Sequence, residues 1–135
     1  MSLLPSILME NYHKSVIDVF VLVLESDGYA STLALAINAA SMALCDASIE
    51  MRDIVCSSSV TLSPAGDLLV DATSAEEEKR SASVIVAYMP SLDAISHVLH
   101  YGSMEVKDII NAMEKCLDVC GMVHKTITEV LLTLQ

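Results

Sequence analysis

Residues 15–47 read SVIDVFVLVLESDGYASTLALAINAASMALCDA, and the fold class turns on this stretch. Ser15 to Glu25 is rich in β-branched residues and apolar almost without break, the composition of a central strand covered on both faces. Ser26, Asp27 and Gly28 then turn the chain. From Tyr29 onward, Leu33, Ile37, Ala40 and Leu44 recur at helical spacing while alanines fill the rest of the surface. This predicts a helix buried on most sides, ending near Ala47 and lying close against a sheet. The Asp27 carboxylate and the hydroxyls of Ser31 or Thr32 are expected to cap its start.

On the C-terminal side, DIVCSSSVTL (53–62) and LLVDA (68–72) read as two strands joined by the turn SPAGD. Five consecutive charges, Glu76 to Arg80, predict a solvated segment. ASVIVAYM (82–89) and LDAISHVLHY (92–101) are two further strands divided by Pro90 and Ser91. Alternation in the second puts Leu92, Ala94, Ser96 and Val98 on one face, with His97 and His100 on opposite faces. A long helix follows Ser103, with an apolar stripe through Val106, Ile109, Ile110, Met113, Leu117, Cys120, Val123, Ile127, Val130 and Leu131. The expected order is strand, buried helix, four strands, long C-terminal helix, an α/β (α+β) arrangement with both helices on one sheet. Residues 1–135 are expected to form a single domain, with 1–13 as a connector or helix tail broken by Pro5.

Composition narrows the function. The 53% apolar content excludes disorder. No apolar run approaches the length of a membrane span, and the first residues lack the pattern of a secretory signal. No membrane association and a nuclear and cytoplasmic location are therefore expected. Seven basic against eighteen acidic residues give a net charge of -11, the wrong sign for gripping DNA or RNA unaided. Contact with RNA has to be lent by a basic partner. Cys45, Cys56, Cys116 and Cys120 contain no CxxC pair and are expected to be reduced, mostly buried thiols without a metal. There is no Gly-rich phosphate loop, no GxSxG elbow and no HExxH.

The strand SVIDVFVLVLESDG followed by INAASMALCDASIEMRD is similar to the RNase PH family, especially the subunits of the RNA exosome ring. The pattern D-A-x-I-x-M-x-D appears as Asp46, Ala47, Ile49, Met51 and Asp53, and GDLLVDATSAEEEKRSASVIVAYMPSLDAI resembles a later family segment. The resemblance runs over about residues 10 to 130 and implies the C-terminal half of an RNase PH-like domain, lacking the family's β-rich first half. A sheet face ordinarily covered by that half is expected to be open and to seek a partner.

The resemblance also implies a chemistry, 3′-to-5′ phosphorolysis of RNA by inorganic phosphate with magnesium. The family's phosphate-binding arginine lies just after the Asp-Gly turn, where Tyr29, Ala30, Ser31, Thr32 and Leu33 supply no cation. Ser31 and Thr32, at a helix N-terminus, are left as weak phosphate-binding candidates or plain caps. The family's two catalytic aspartates follow Asp71 by six and twelve residues, at Glu77 and Ser83, and a serine cannot replace a metal-binding carboxylate. Glu76, Glu77 and Glu78 read otherwise as a solvated acidic turn, and Arg52 as an ion pair with Asp53 or Asp46. No catalytic residue and no cofactor of its own are expected. The resemblance thus implies an inactive exosome subunit, structural in RNA processing and degradation. Its partners would be other RNase PH-type subunits, with RNA met through the assembled complex. Two alternatives stand: an active exoribonuclease subunit with a composite site, and an unrelated α/β binding module.

Overall fold

The computed structural model describes residues 3–12 and 14–133. Its centre is a four-stranded sheet of order β2-β1-β3-β4, antiparallel throughout, built from β1 (Cys56–Leu62), β2 (Leu68–Val70), β3 (Ala82–Met89) and β4 (Ala94–Gly102). Helix α1 (Tyr29–Asp46) precedes the sheet, the short α2 (Ser74–Glu78) connects β2 to β3, and α3 (Val106–Thr133) closes the chain.

Side-chain alternation along β3 separates the two layers of the core. Val84 and Val86 pack with Val60 against Ala112 and Cys116 of α3, whereas Ile85 packs against Ala30 and Ala34 of α1. The two helices therefore sandwich one sheet, each on its own face. The alanines and serines of α1 make this close approach possible: Ala30, Ser31, Ala34, Ala40 and Ser41 are all buried. On α3 the buried line runs through Ala112, Cys116, Cys120 and Ile127. That line is rotated from the expected stripe, so Val106, Ile110 and Val130 are exposed. Small side chains occupy the points of closest approach, and the larger ones flank them.

β2 covers only the second half of β1, through Val60 to Leu62. The uncovered edge at Ser57 is completed by a side chain. Asn38 of α1 accepts the Ser57 N–H at 2.6 Å and donates to the Ser57 carbonyl at 2.9 Å, both bonds that a neighbouring strand would otherwise make.

Four expectations are corrected. Ser15 to Glu25 is no strand: among the described residues no hydrogen-bonded ladder reaches it, and the four strands pair among themselves. The stretch Glu76 to Arg80 is not wholly solvated, because it begins within α2 and Glu77 is buried. The face shared by Leu92, Ala94, Ser96 and Val98 breaks at a bulge, where Ala87 pairs with His97 but Tyr88 with Ile95. One extra residue flips the phase, so Leu99 and Tyr101 pack on α1 while Val98 is partly exposed. Finally, both faces of the sheet's centre are covered, and the open apolar surface lies elsewhere.

That surface is the segment expected to be a strand. Phe20, Leu22 and Leu24 are 92%, 83% and 90% exposed, whereas Val19, Val21 and Val23 between them are 44–52% exposed. The period of two is that of an extended chain. A groove of about 510 Å³ separates residues 21–25 from Leu35, Ala36 and Ala39 of α1, and Phe20, Leu22 and Leu24 are the more exposed set. The connector at residues 1–13 is tied in where described: Ile7 bridges Met51, and the Arg52 N–H donates to the Ser6 carbonyl.

Candidate functional site

The residues singled out for phosphate chemistry converge on the N-terminus of α1. Gly28 caps this helix with φ of 106°, in the region that favours glycine. A Cβ there would lie 2.8 Å from the Ala72 carbonyl oxygen and 3.3 Å from the Glu77 carboxyl carbon. Only a glycine lets the chain after β2 press this closely on the helix start.

A helix exposes its first N–H groups without intrahelical acceptors. Here one carboxylate takes two of them. Glu77 Oε2 accepts the Tyr29 N–H at 2.6 Å and Oε1 accepts the Ala30 N–H at 2.7 Å. Glu77 is only 6% exposed, and its negative charge is matched by the helix dipole and by Arg80, whose guanidinium stands 3.2 Å from Oε2. The expected local cap does not form. Asp27 instead accepts the Ser74 N–H at 3.0 Å, at the head of α2.

Ser31 and Thr32 are placed at this helix start but point their protons elsewhere. The Ser31 hydroxyl donates to the Ala72 carbonyl at 3.0 Å, and the Thr32 hydroxyl to the Gly28 carbonyl at 2.6 Å. Ser26 Oγ is 2.8 Å from Thr32 Oγ1. Ser83 is fully buried in β3, its hydroxyl 3.2 Å from that of Thr61 on the adjacent strand. Glu77 and Ser83 therefore belong to two different interiors, one under a helix start and one within the sheet.

α2 itself is held by a reciprocal cap in which Glu76 accepts both the backbone N–H and the hydroxyl of Thr73. These hydrogen bonds hold the Glu76 carboxyl below the usual carboxylate range. The spacing T-x-x-E was a legible signal for this short helix. Nothing of comparable clarity announced Glu77, whose partners lie 47 and 48 positions away. The cation absent from residues 29–33 does arrive, as Arg80, but bound to Glu77.

A second buried carboxylate, Asp53, ends the D-A-x-I-x-M-x-D pattern. It accepts the Ile54 and Ser91 N–H groups, each at 2.8 Å, with His124 Nε2 3.9 Å away. The pair expected between Arg52 and Asp53 is thus replaced by backbone donors and α3. The thiols of Cys56, Cys116 and Cys120 are buried. Burial pushes Cys56 up to about 12 and Cys116 up to about 11, and raises Cys45 and Cys120 as well. Among the described residues no group of three or more His, Cys, Asp or Glu is placed to hold a metal ion, and no helix is long and apolar enough to cross a membrane.

Known proteins share this framework. Residues 1–50 match domain 1 of the RNase PH 3′ exoribonuclease family. The chain is 41% identical over 116 residues to the exosome complex component mtr3 of Schizosaccharomyces pombe, covering 84% of this chain and 45% of that protein. It is 33% identical over 121 residues to the exosome complex component Rrp41 of Cenarchaeum symbiosum, covering 90% of this chain and 49% of that one. The crystal structure of rice (Oryza sativa) Rrp46 superposes with a TM-score of 0.74 at 22% identity, over 82% of this chain and 51% of that chain, a likeness of fold. The chain spans about half the length of the curated relatives it matches.

Proposed function

Because this chain belongs to the RNase PH family, we propose that it is a structural, non-phosphorolytic subunit of an exosome-type assembly. In this reading it contributes to RNA 3′-end processing and degradation through partners of the same family. The observation that carries the proposal is the state of the α1 N-terminus: the Tyr29 and Ala30 N–H donors and the nearby Arg80 guanidinium are engaged by Glu77, while Ser83 offers a neutral hydroxyl inside the sheet. Phosphorolysis requires a held phosphate and carboxylates that manage the metal or proton.

Assembly is supported independently by the solvent-facing Phe20, Leu22 and Leu24, in a segment whose backbone lacks strand partners among the described residues. A partner strand docked along residues 16–24 would satisfy both the apolar side chains and the backbone. With a net charge of -11, the chain meets RNA beside basic partners rather than alone, with no role at DNA or a membrane. A nuclear and cytoplasmic location accords with this role.

One feature favours a second reading, a composite phosphorolytic site completed by a paired subunit: Arg80 stands at the helix start that lacked a cation in sequence. Both readings are tested by assembling the chain with RNase PH-type partners of established activity and supplying RNA and inorganic phosphate. The structural role predicts that nucleoside diphosphate release tracks the partners' own sites and is unchanged by Arg80→Ala in this chain. Loss of release with that variant, at unchanged assembly, overturns it in favour of the composite site.

A further inference from the structure

We propose that Glu77 is a built-in anion that occupies the oxyanion cradle of α1 and closes it to inorganic phosphate. The inference deepens the non-phosphorolytic reading, and concerns the same helix start. The cradle has the parts of a phosphate site: two first-turn N–H groups, the positive end of an 18-residue helix, and a guanidinium. In most helices such donors meet water or a local side chain. Here a carboxylate from a different element fills them with one oxygen each, at 2.6 and 2.7 Å, and Arg80 approaches the first of those oxygens.

The arrangement holds Glu77 in place more firmly than a surface ion pair would. α2 is braced at its own start by the Thr73–Glu76 box, and Asp27 takes the Ser74 N–H, so the chain bearing Glu77 is tied to the loop before α1 at one further point. The Ser31 hydroxyl, donating to the Ala72 carbonyl, fastens the same two segments from the helix side. A phosphate entering the cradle must displace a tethered carboxylate, and tethering gives that carboxylate a high effective concentration over any free anion. The surrounding opening, lined by Ser26, Gly28, Tyr29, Ser74, Glu78 and Arg80, is wide enough for a phosphate once Glu77 is gone. The remaining Glu78 carboxylate at its rim further disfavours an anion while Glu77 is present.

The test is a titration of the full chain with inorganic phosphate, read by the backbone amide resonances of Tyr29 and Ala30 and by phosphate-dependent thermal stabilisation, with chloride at matched ionic strength as control. In the native chain the two resonances stay put up to millimolar phosphate. Glu77→Ala acquires phosphate binding about tenfold or more tighter than the native chain, and Glu77→Ala with Arg80→Ala loses most of the gain. Saturable movement of both amides in the native chain overturns the proposal. A correctly folded Glu77→Ala or Glu77→Gln that binds no better than the native chain overturns it equally. Should both variants unfold, the native titration decides alone. The two readings fail separately: amides that respond to phosphate without nucleoside diphosphate release sink the closed cradle only, while release that depends on Arg80 with silent amides sinks the structural role only.

Discussion

Two segments of this chain have nearly interchangeable sequences and opposite fates. VFVLVL at residues 19–24 and SVIVAY at residues 83–88 are both apolar and rich in β-branched residues. The second lies inside β3, hydrogen-bonded on both sides, with Val84, Ile85 and Val86 at most 1% exposed. The first has no strand beside it and presents Phe20, Leu22 and Leu24 to solvent. β propensity is common to both, so it cannot be what separates them. The difference is supplied by neighbours: β1 and β4 flank one segment, and no strand of the described residues flanks the other.

Ile85→Ala, in the paired segment, is expected to cost about 3 kcal/mol through lost burial and the cavity left between β3 and α1, measured by denaturant unfolding. A loss below about 1 kcal/mol would mean the paired segment is no better packed than the open one. Asn38→Ala tests whether a side chain replaces a strand at the edge of β1. It is expected to cost about 2 kcal/mol by orphaning the Ser57 N–H and carbonyl, and Asn38→Asp should recover little, because it offers acceptors but no donor.

The thiols sharpen the contrast between covered and open surface. Cys56 and Cys116 keep their protons in the fold up to about 12 and about 11, whereas the unfolded chain loses them near the ordinary 9.0. Between those limits the folded state binds more protons, so stability falls as pH rises from about 9 towards 12, and it is unaffected below. Thiol labelling at pH 8 should likewise modify Cys45 before Cys56, Cys116 and Cys120, which react on unfolding. Simultaneous labelling of all four in the folded chain would contradict the covered core.

The smallest effect is expected where the exposure is greatest. Leu22→Asp should change the stability of the isolated chain by no more than about 0.5 kcal/mol, yet abolish association with a partner that docks along residues 16–24. Analytical ultracentrifugation of the chain with and without RNase PH-type subunits, the partners proposed for it, separates these. Unchanged association would show that the open segment is not the interface.

Much of the fold was legible because it is written locally. Helical spacing from Leu33 to Leu44 marked α1 to within a residue or so of its observed ends, the turn at Pro64 and Gly66 marked the β1–β2 connection, and Pro90 marked the break between β3 and β4. At the candidate site the placement of Ser31, Thr32 and Glu77 near one another was only half readable. Gly28 announced a special backbone, but the carboxylate that fills the helix start comes from 47 positions downstream, and the nearest acidic side chain, Asp27, was the natural candidate. The charge run Glu76 to Arg80 concealed its one buried member because a run of charges reads as a solvated face whichever residue turns inward.

Periodicity, turn residues and small-residue content are properties of a few consecutive positions, and they were enough to establish two packed helices, two hairpins and an acidic chain. Which apolar segment is paired, where the bulge at Ala87 and Tyr88 resets the face of β4, and which carboxylate closes α1 were all settled by groups far apart in the chain. A hydrogen bond or a buried face needs its second half in space, and no single stretch of sequence contains both halves.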